Sequence, residues 1–308
     1  MTTSYGAHSR LLLLCPGQGG QHDTMFDLPR SSPAGDATAS TLLADMALTD
    51  DADIYANRNA QPLIVAATLS MWAALCEFAP PPALVAGYSI GELSAYGVAG
   101  AFSPRTAVQL AAERARLMDA CAHARPGQAL MAISGLVLSR TSALLAEHDF
   151  YMSIENGDDA CIAGGPAANG AALARSVHAA GGRCTRLPVE VASHTRHMQA
   201  AVAPFAAALQ QAEFQPMAAP VLAGIGAMAV RSKTLALDQL SRQLSETIHW
   251  AACMDAAAEA GISYALELGP GAALSRLLKS RHPHINTRSV ADFRTLDGIR
   301  KWLERAAE

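Results

Sequence analysis

The run Ala83-Leu84-Val85-Ala86-Gly87-Tyr88-Ser89-Ile90-Gly91-Glu92-Leu93-Ser94-Ala95-Tyr96 places an apolar segment, a G-x-S-x-G turn and a helix-like stretch in that order. This is the strand-turn-helix context of a nucleophile elbow, and it predicts an α/β fold with Ser89 raised at the end of a strand. The two glycines are expected to let the chain turn sharply. The following helix directs free N–H groups and its positive dipole end at the same place. Negative charge developing beside Ser89 would be stabilised there.

Outward from this turn, Ala/Leu-rich helical stretches alternate with short apolar strands, the pattern of a largely parallel sheet. Strands are expected at Leu11–Cys15, Ala83–Tyr88, Ala129–Ile133, Met152–Glu155, Cys161–Gly164, Thr185–Val189 and Tyr264–Leu268. The Leu11-Leu12-Leu13-Leu14 run is too short for a signal-peptide core and reads as the first buried strand. Between Gly127 and Glu190 the order is strand, helix (139–147), strand, strand, helix (167–180), strand, which is that of a ferredoxin-like unit. Residues 127–190 are therefore expected to form a small inserted subdomain, with 1–126 and 191–308 forming the larger one. Ser31 to Ser40, rich in Ser, Pro, Gly and Ala, reads as a loop.

At 308 residues, 51% hydrophobic and 16% charged, the chain is long enough to bury a large core. No apolar run reaches the roughly 18 residues of a membrane span; the longest, Leu63 to Cys76, is interrupted by Thr68 and Ser70. A net charge of -4 with three lysines (Lys233, Lys279, Lys301) argues against a nucleic-acid surface. Six cysteines without a C-x-x-C pair, most in apolar surroundings such as Trp72–Cys76, point to reduced, buried thiols in a cytoplasmic protein.

Ser103-Pro104 has the form of an N-cap and first helical residue. On the helix that follows, Ala107, Leu110, Ala111, Arg114, Leu117 and Met118 share one stripe. An arginine in an apolar stripe must find an anion, because a guanidinium keeps its charge and an unpaired buried charge costs several kcal/mol. An internal salt bridge is the favoured partner on spacing alone, with a bound carboxylate as the alternative. Ser89 also needs a base. Of ten histidines, His194 and His197 lie where the insertion rejoins the main domain; their i, i+3 spacing suits a metal, but no further ligand cluster completes a site, so none is expected. The glycine-rich loop Pro16-Gly17-Gln18-Gly19-Gly20-Gln21 matches neither a dinucleotide fingerprint nor a P-loop.

Taken in order, these motifs resemble the malonyl-CoA:acyl carrier protein transacylase family, including the acyltransferase domains of fatty acid and polyketide synthases. Cys15–Gln21 stands for the family's PGQGSQ-like loop, Gly87–Glu92 for GHSxGE and Glu113-Arg114 for its arginine helix. Ser193-His194 stands for the catalytic histidine and Leu266–Gly271 for an ExGPG-like turn. The resemblance implies an α/β-hydrolase-like large subdomain with a ferredoxin-like insertion. It implies that Ser89 attacks malonyl-CoA with His194 as base, and that an acyl carrier protein thiol then takes the malonyl group. The backbone N–H groups of Gln18 and Ile90 would form the oxyanion hole, Arg114 would hold the malonyl carboxylate and Asn156 would lie beside the substrate. The backbone carbonyl of Gln243 would orient the histidine. No permanently bound cofactor, metal, nucleic acid or membrane is implied. Tyr88 departs from the family's usual histidine, and the segment after the first loop is short. Fatty acid synthesis, polyketide assembly and malonate decarboxylation all employ this family.

Two other classes fit parts of the pattern. A serine hydrolase of the α/β type also uses G-x-S-x-G, with a late histidine such as His282 or His284 beside the serine. A carrier-binding module without activity would not need Ser89, His194 and Arg114 together.

Overall fold

The computed structural model describes residues 10–46 and 52–307. In chain order the strands are β1 (Leu11–Cys15), β2 (Leu84–Gly87), β3 (Gln128–Ser134), β4 (Tyr151–Glu155) and β5 (Ala160–Pro166). They continue with β6 (Arg183–Arg186), β7 (Val221–Ala223), β8 (Met228–Val230), β9 (Tyr264–Glu267) and β10 (Asn286–Ser289).

β1 is the all-leucine strand and is buried on both faces. Leu11, Leu13 and Cys15 enter one apolar core while Leu12 and Leu14 enter another, as the two-residue period of a strand requires. It pairs in parallel with β2 and with β9, inside a sheet ordered β10-β9-β1-β2-β7-β8 whose one antiparallel pair is β7 with β8. Continuous apolar sequence with helices on both sides is the behaviour of a parallel sheet. The long apolar run predicted from sequence is the buried helix Asn57–Leu75, packed beside the sheet. Among the described residues no helix is long and apolar enough to cross a membrane.

A second sheet, ordered β4-β5-β3-β6, is antiparallel throughout. The helices Leu138–Glu147 and Ala167–Ala179 join its strands, and it has its own core of Met131, Ile133, Leu145, Phe150, Leu173 and Val177.

The structure corrects the sequence reading at four places. Ser31 to Ser40 is mostly helical (Pro33–Met46): Ser32 Oγ accepts from Gly35 N at 3.0 Å, so Ser-Pro here opens a helix. The strand placed at Thr185–Val189 ends at Arg186, before Pro188, which has no N–H for a ladder. β7, β8 and β10 were not expected. Cys76 is exposed, while Cys15, Cys121, Cys161 and Cys253 are buried and all six are free thiols.

Candidate active site

The elbow is built by close approach of main chain. Gly87 and Gly91 both have negative φ; Ser89 itself adopts the left-handed conformation, φ 55°. A Cβ on Gly87 would lie 2.1 Å from the carbonyl of Gly91, and one on Gly91 would lie 2.1 Å from the carbonyl of Cys15. The glycines are thus required by space, and the backbone strain is carried by the serine. Gly17 crosses over the elbow, where a Cβ would stand 2.9 Å from the Tyr88 carbonyl. The first loop is braced in turn by the late turn: Cβ atoms on Gly20 and Gly269 would meet the Pro270 carbonyl at 2.4 Å and the Pro16 ring at 2.2 Å. Glu267, at the end of β9, accepts from Ser275 N at 2.8 Å and Leu274 N at 3.3 Å, capping the helix behind that turn.

His194 reaches Ser89 from the opposite side. Its Nε2 is 2.7 Å from Ser89 Oγ, and its Nδ1 is 2.6 Å from the main-chain oxygen of Gln243. A carbonyl only accepts, so Nδ1 carries the proton and Nε2 is left to accept from the serine hydroxyl. The partner of Nδ1 is a neutral carbonyl, so the arrangement is a dyad without a carboxylate third member. Burial, and then the charge of Arg114, depress the His194 pKa to about 3, against the raising effect of the Gln243 carbonyl. The ring is neutral at pH 7. Like Ser89, His194 has a left-handed backbone, φ 59°. It sits in an irregular segment pinned by His194 N to Leu244 O, Ala192 N to Gln128 Oε1 and Ser153 Oγ to Ser193 O, all within 2.9 Å.

Arg114 projects from the helix Pro104–Ala124 and is 2% exposed. The favoured internal salt bridge is absent: among the described residues its partners are neutral amides, Gln61 Oε1 at 2.7 Å and Gln243 Oε1 at 3.1 Å. Burial lowers its pKa to about 10, so it remains charged at neutral pH. Glu92 is the nearby acid, reached through the Gln243 amide, and burial pushes its pKa up to about 7. Gln61 continues the network to Asn57 (2.7 Å) and Asn57 to Asp119 (2.8 Å). Asn57 and Asp119 line a cleft of about 530 Å³ that also holds Gln18, Gln128, Arg186 and Val189.

The remaining predicted residues lie around this core. Asn156 Oδ1 accepts from the Tyr88 hydroxyl at 3.0 Å, and the Tyr88 ring packs edge-on against Trp250. The backbone N–H groups of Gln18 and Ile90 have no protein acceptor among the described residues. The late histidines do not approach Ser89. His282 pairs with Asp255 at 2.9 Å and meets His284 edge-on. His197 lies against Tyr151, and no group of three or more metal-type ligands occurs among the described residues. Sequence reasoning missed Gln61 and Asn57, and named Glu92 as the end of the elbow motif without a role. Their signal was polarity in the wrong place: amides opening an otherwise apolar helix, and an acid in a buried turn.

A family model described as the acyl transferase domain matches residues 13–291. The chain belongs to the acyl transferase domain family. A malonyl CoA-acyl carrier protein transacylase of Mycobacterium tuberculosis is 31% identical over 301 residues, covering 94% of this chain and 99% of that protein. One from Bacillus subtilis is 26% identical over 306 residues, covering 94% and 96%. Among solved structures, a malonyl-transacylase bound to its type II polyketide synthase acyl-carrier protein superposes with a TM-score of 0.87 at 26% identity, covering 95% of this chain and 99% of that one. The FabD structure from Acinetobacter baumannii, at 24% identity and TM-score 0.90 over 97% of this chain and all of that one, shares the fold.

Proposed function

We propose that this acyltransferase moves malonyl groups from malonyl-CoA to the phosphopantetheine thiol of an acyl carrier protein, through a malonyl ester on Ser89. The observation that carries this is a buried, charged arginine held, among the described residues, by neutral amides and tied to the Ser89–His194 pair through Gln243. A guanidinium so placed has one valence of charge to offer, and a raised Glu92 pKa leaves it incompletely neutralised. Malonyl supplies the missing carboxylate; acetyl does not.

In the proposed sequence, His194 Nε2 takes the Ser89 hydroxyl proton as Oγ attacks the thioester carbonyl. The oxyanion is received by the unused N–H groups of Gln18 and Ile90, each worth on the order of 3 kcal/mol in comparable sites. Collapse breaks the C–S bond, and the imidazolium returns its proton to the departing CoA sulfur. The carrier thiol then repeats these steps in reverse against the ester. Asn156, whose Oδ1 is engaged by Tyr88, keeps its amide N–H groups for the substrate. The reaction needs no resident cofactor, and six free thiols suit a cytoplasmic setting. The organisation in this reading is an inserted subdomain over 127–190 with 1–126 and 191–308 around it, supported by the separate core of the antiparallel sheet. The late-histidine hydrolase reading has no support, since His282 is committed to Asp255.

Intact-mass measurement after brief incubation with malonyl-CoA, without carrier protein, tests the proposal. The expected result is one added malonyl group, located on Ser89 by peptide mapping and missing in Ser89→Ala. No adduct in the native chain, or an adduct that survives Ser89→Ala, would overturn it.

A further inference from the structure

Glu92 is completely buried on the first turn of the elbow helix Gly91–Val98, three residues past the serine. Oε2 accepts from Gln243 Nε2 at 2.6 Å and from Gly224 N at 3.0 Å, while Oε1 has no partner among the described residues. The groups facing it are Tyr96 on its own helix, Arg114, Cys253, Gly224 and Gln243.

The Gln243 amide has two ends with opposite obligations. Its Oε1 accepts from Arg114 Nη2, and its Nε2 donates to Glu92 and, at 3.2 Å, to the Ser89 carbonyl. Its main-chain oxygen accepts from His194 Nδ1. A side-chain amide flips at little intrinsic cost, and a flip here would turn N–H groups onto a guanidinium that can only donate. The acceptor that opposes the flip most strongly is the Glu92 oxygen, a short contact in a dry setting.

We propose that Glu92 is a positioning residue: as hydrogen-bond acceptor it locks the Gln243 amide, and through it sets both the Arg114 guanidinium and the carbonyl that orients His194. This rests on the acyl-transfer reading for its kinetic consequences but not for its structural ones. The lock needs an acceptor, so a neutral amide at 92 preserves it: the oxygen replaces Oε2 and the NH₂ takes the place of the unpartnered Oε1. An apolar side chain does not.

The test compares Glu92→Gln with Glu92→Met, both checked for folding by melting. The two readouts are the proton resonance of His194 Nδ1–H in the free enzyme and the KM and kcat for malonyl-CoA and acetyl-CoA. Glu92→Gln is expected to keep the resonance and the malonyl-to-acetyl ratio. Glu92→Met is expected to move the resonance, lower kcat for both acyl groups by about tenfold, the common cost of losing a supporting partner, and raise KM for malonyl-CoA alone. Equal behaviour of the two variants, whether both native-like or both impaired, overturns the proposal. If Glu92→Met does not fold, Gln243→Met replaces it, since it removes the amide but keeps the carbonyl; a native resonance and native malonyl KM there would likewise overturn it. If the native chain transfers no malonyl at all, the functional reading fails, while the resonance still decides the lock.

Discussion

The two halves of the dyad are held by opposite means. Ser89 and His194 share a left-handed backbone, yet the serine stands on a local scaffold of strand, turn and helix contained within about a dozen residues. The histidine occupies an irregular segment whose anchors come from Gln128 on β3, Ser153 on β4, and Gln243 and Leu244 beyond the helix Lys233–Arg242. Strain at the serine is over-determined by main-chain packing against Gly17, Gly87 and Gly91; strain at the histidine is held by the side chains of Gln128 and Ser153 together with the main-chain oxygens of Gln243 and Leu244. The Ser89 turn is thus set by close main-chain packing, while the aim of the His194 ring depends on the antiparallel sheet and on the segment after the helix Lys233–Arg242.

Removing the base gives the largest expected effect that bears on this contrast. His194→Ala should slow Ser89 acylation by roughly a hundredfold or more, the usual scale of a positioned general base, in rapid-quench assays. An unchanged rate would move the role to another group. Arg114→Ala comes next, with malonyl transfer falling by about 3 kcal/mol while acetyl transfer is maintained or improved. The measurement is kcat/KM for both CoA esters with a melting curve. An unchanged malonyl-to-acetyl ratio would mean that the arginine serves the histidine side of the site structurally.

The third expectation is one of pH. Native His194, with a pKa of about 3, lies below the 6.5 of an ordinary histidine. Between those values the unfolded chain binds a proton that the native chain refuses, so this contribution to stability is present above 6.5 and is lost as pH falls toward 3. Glu92 runs the other way: raised from 4.5 to about 7, its contribution is lost as pH rises through that window. His194→Asn removes only the first, and from pH 7 to pH 5 it should gain roughly 2 kcal/mol on the native chain in urea unfolding. A constant difference would show that the ring is solvated. The smallest effect belongs to Gln128→Ala, which frees Ala192 N and should cost about 1 kcal/mol of stability. Acylation should slow, since Gln128 Oε1 anchors the histidine's segment at Ala192 N while its Nε2 donates to Arg125 O.

The same contrast governs what could be read in advance. Ser89 was legible because its constraints are local, as was the capped helix that carries Arg114, with Ser103 accepting from Thr106 N at the expected cap. β1 was legible because both of its faces are buried. β10 (Asn-Thr-Arg-Ser) and β8 were not: they lie at the sheet edges, joined by main-chain bonds that leave little mark on side-chain pattern. The partner of Arg114 was misjudged because spacing along one helix does not reveal Gln61 and Gln243, which lie 53 and 129 residues away. Among the histidines, ring chemistry alone offered no choice; family resemblance singled out His194, and the fold brings it to the serine.

The central place of β1 between β2 and β9, with Gly20 pressed on Pro270, also has a meaning in time. During synthesis the glycine-rich loop and the serine are made by residue 89, but the strand and turn that brace them lie beyond residue 263. Contacts of such sequence separation form late and carry a large closure entropy. A growing polypeptide therefore carries the Ser89 turn without its outer brace until β9 and the turn at Pro270 have been made.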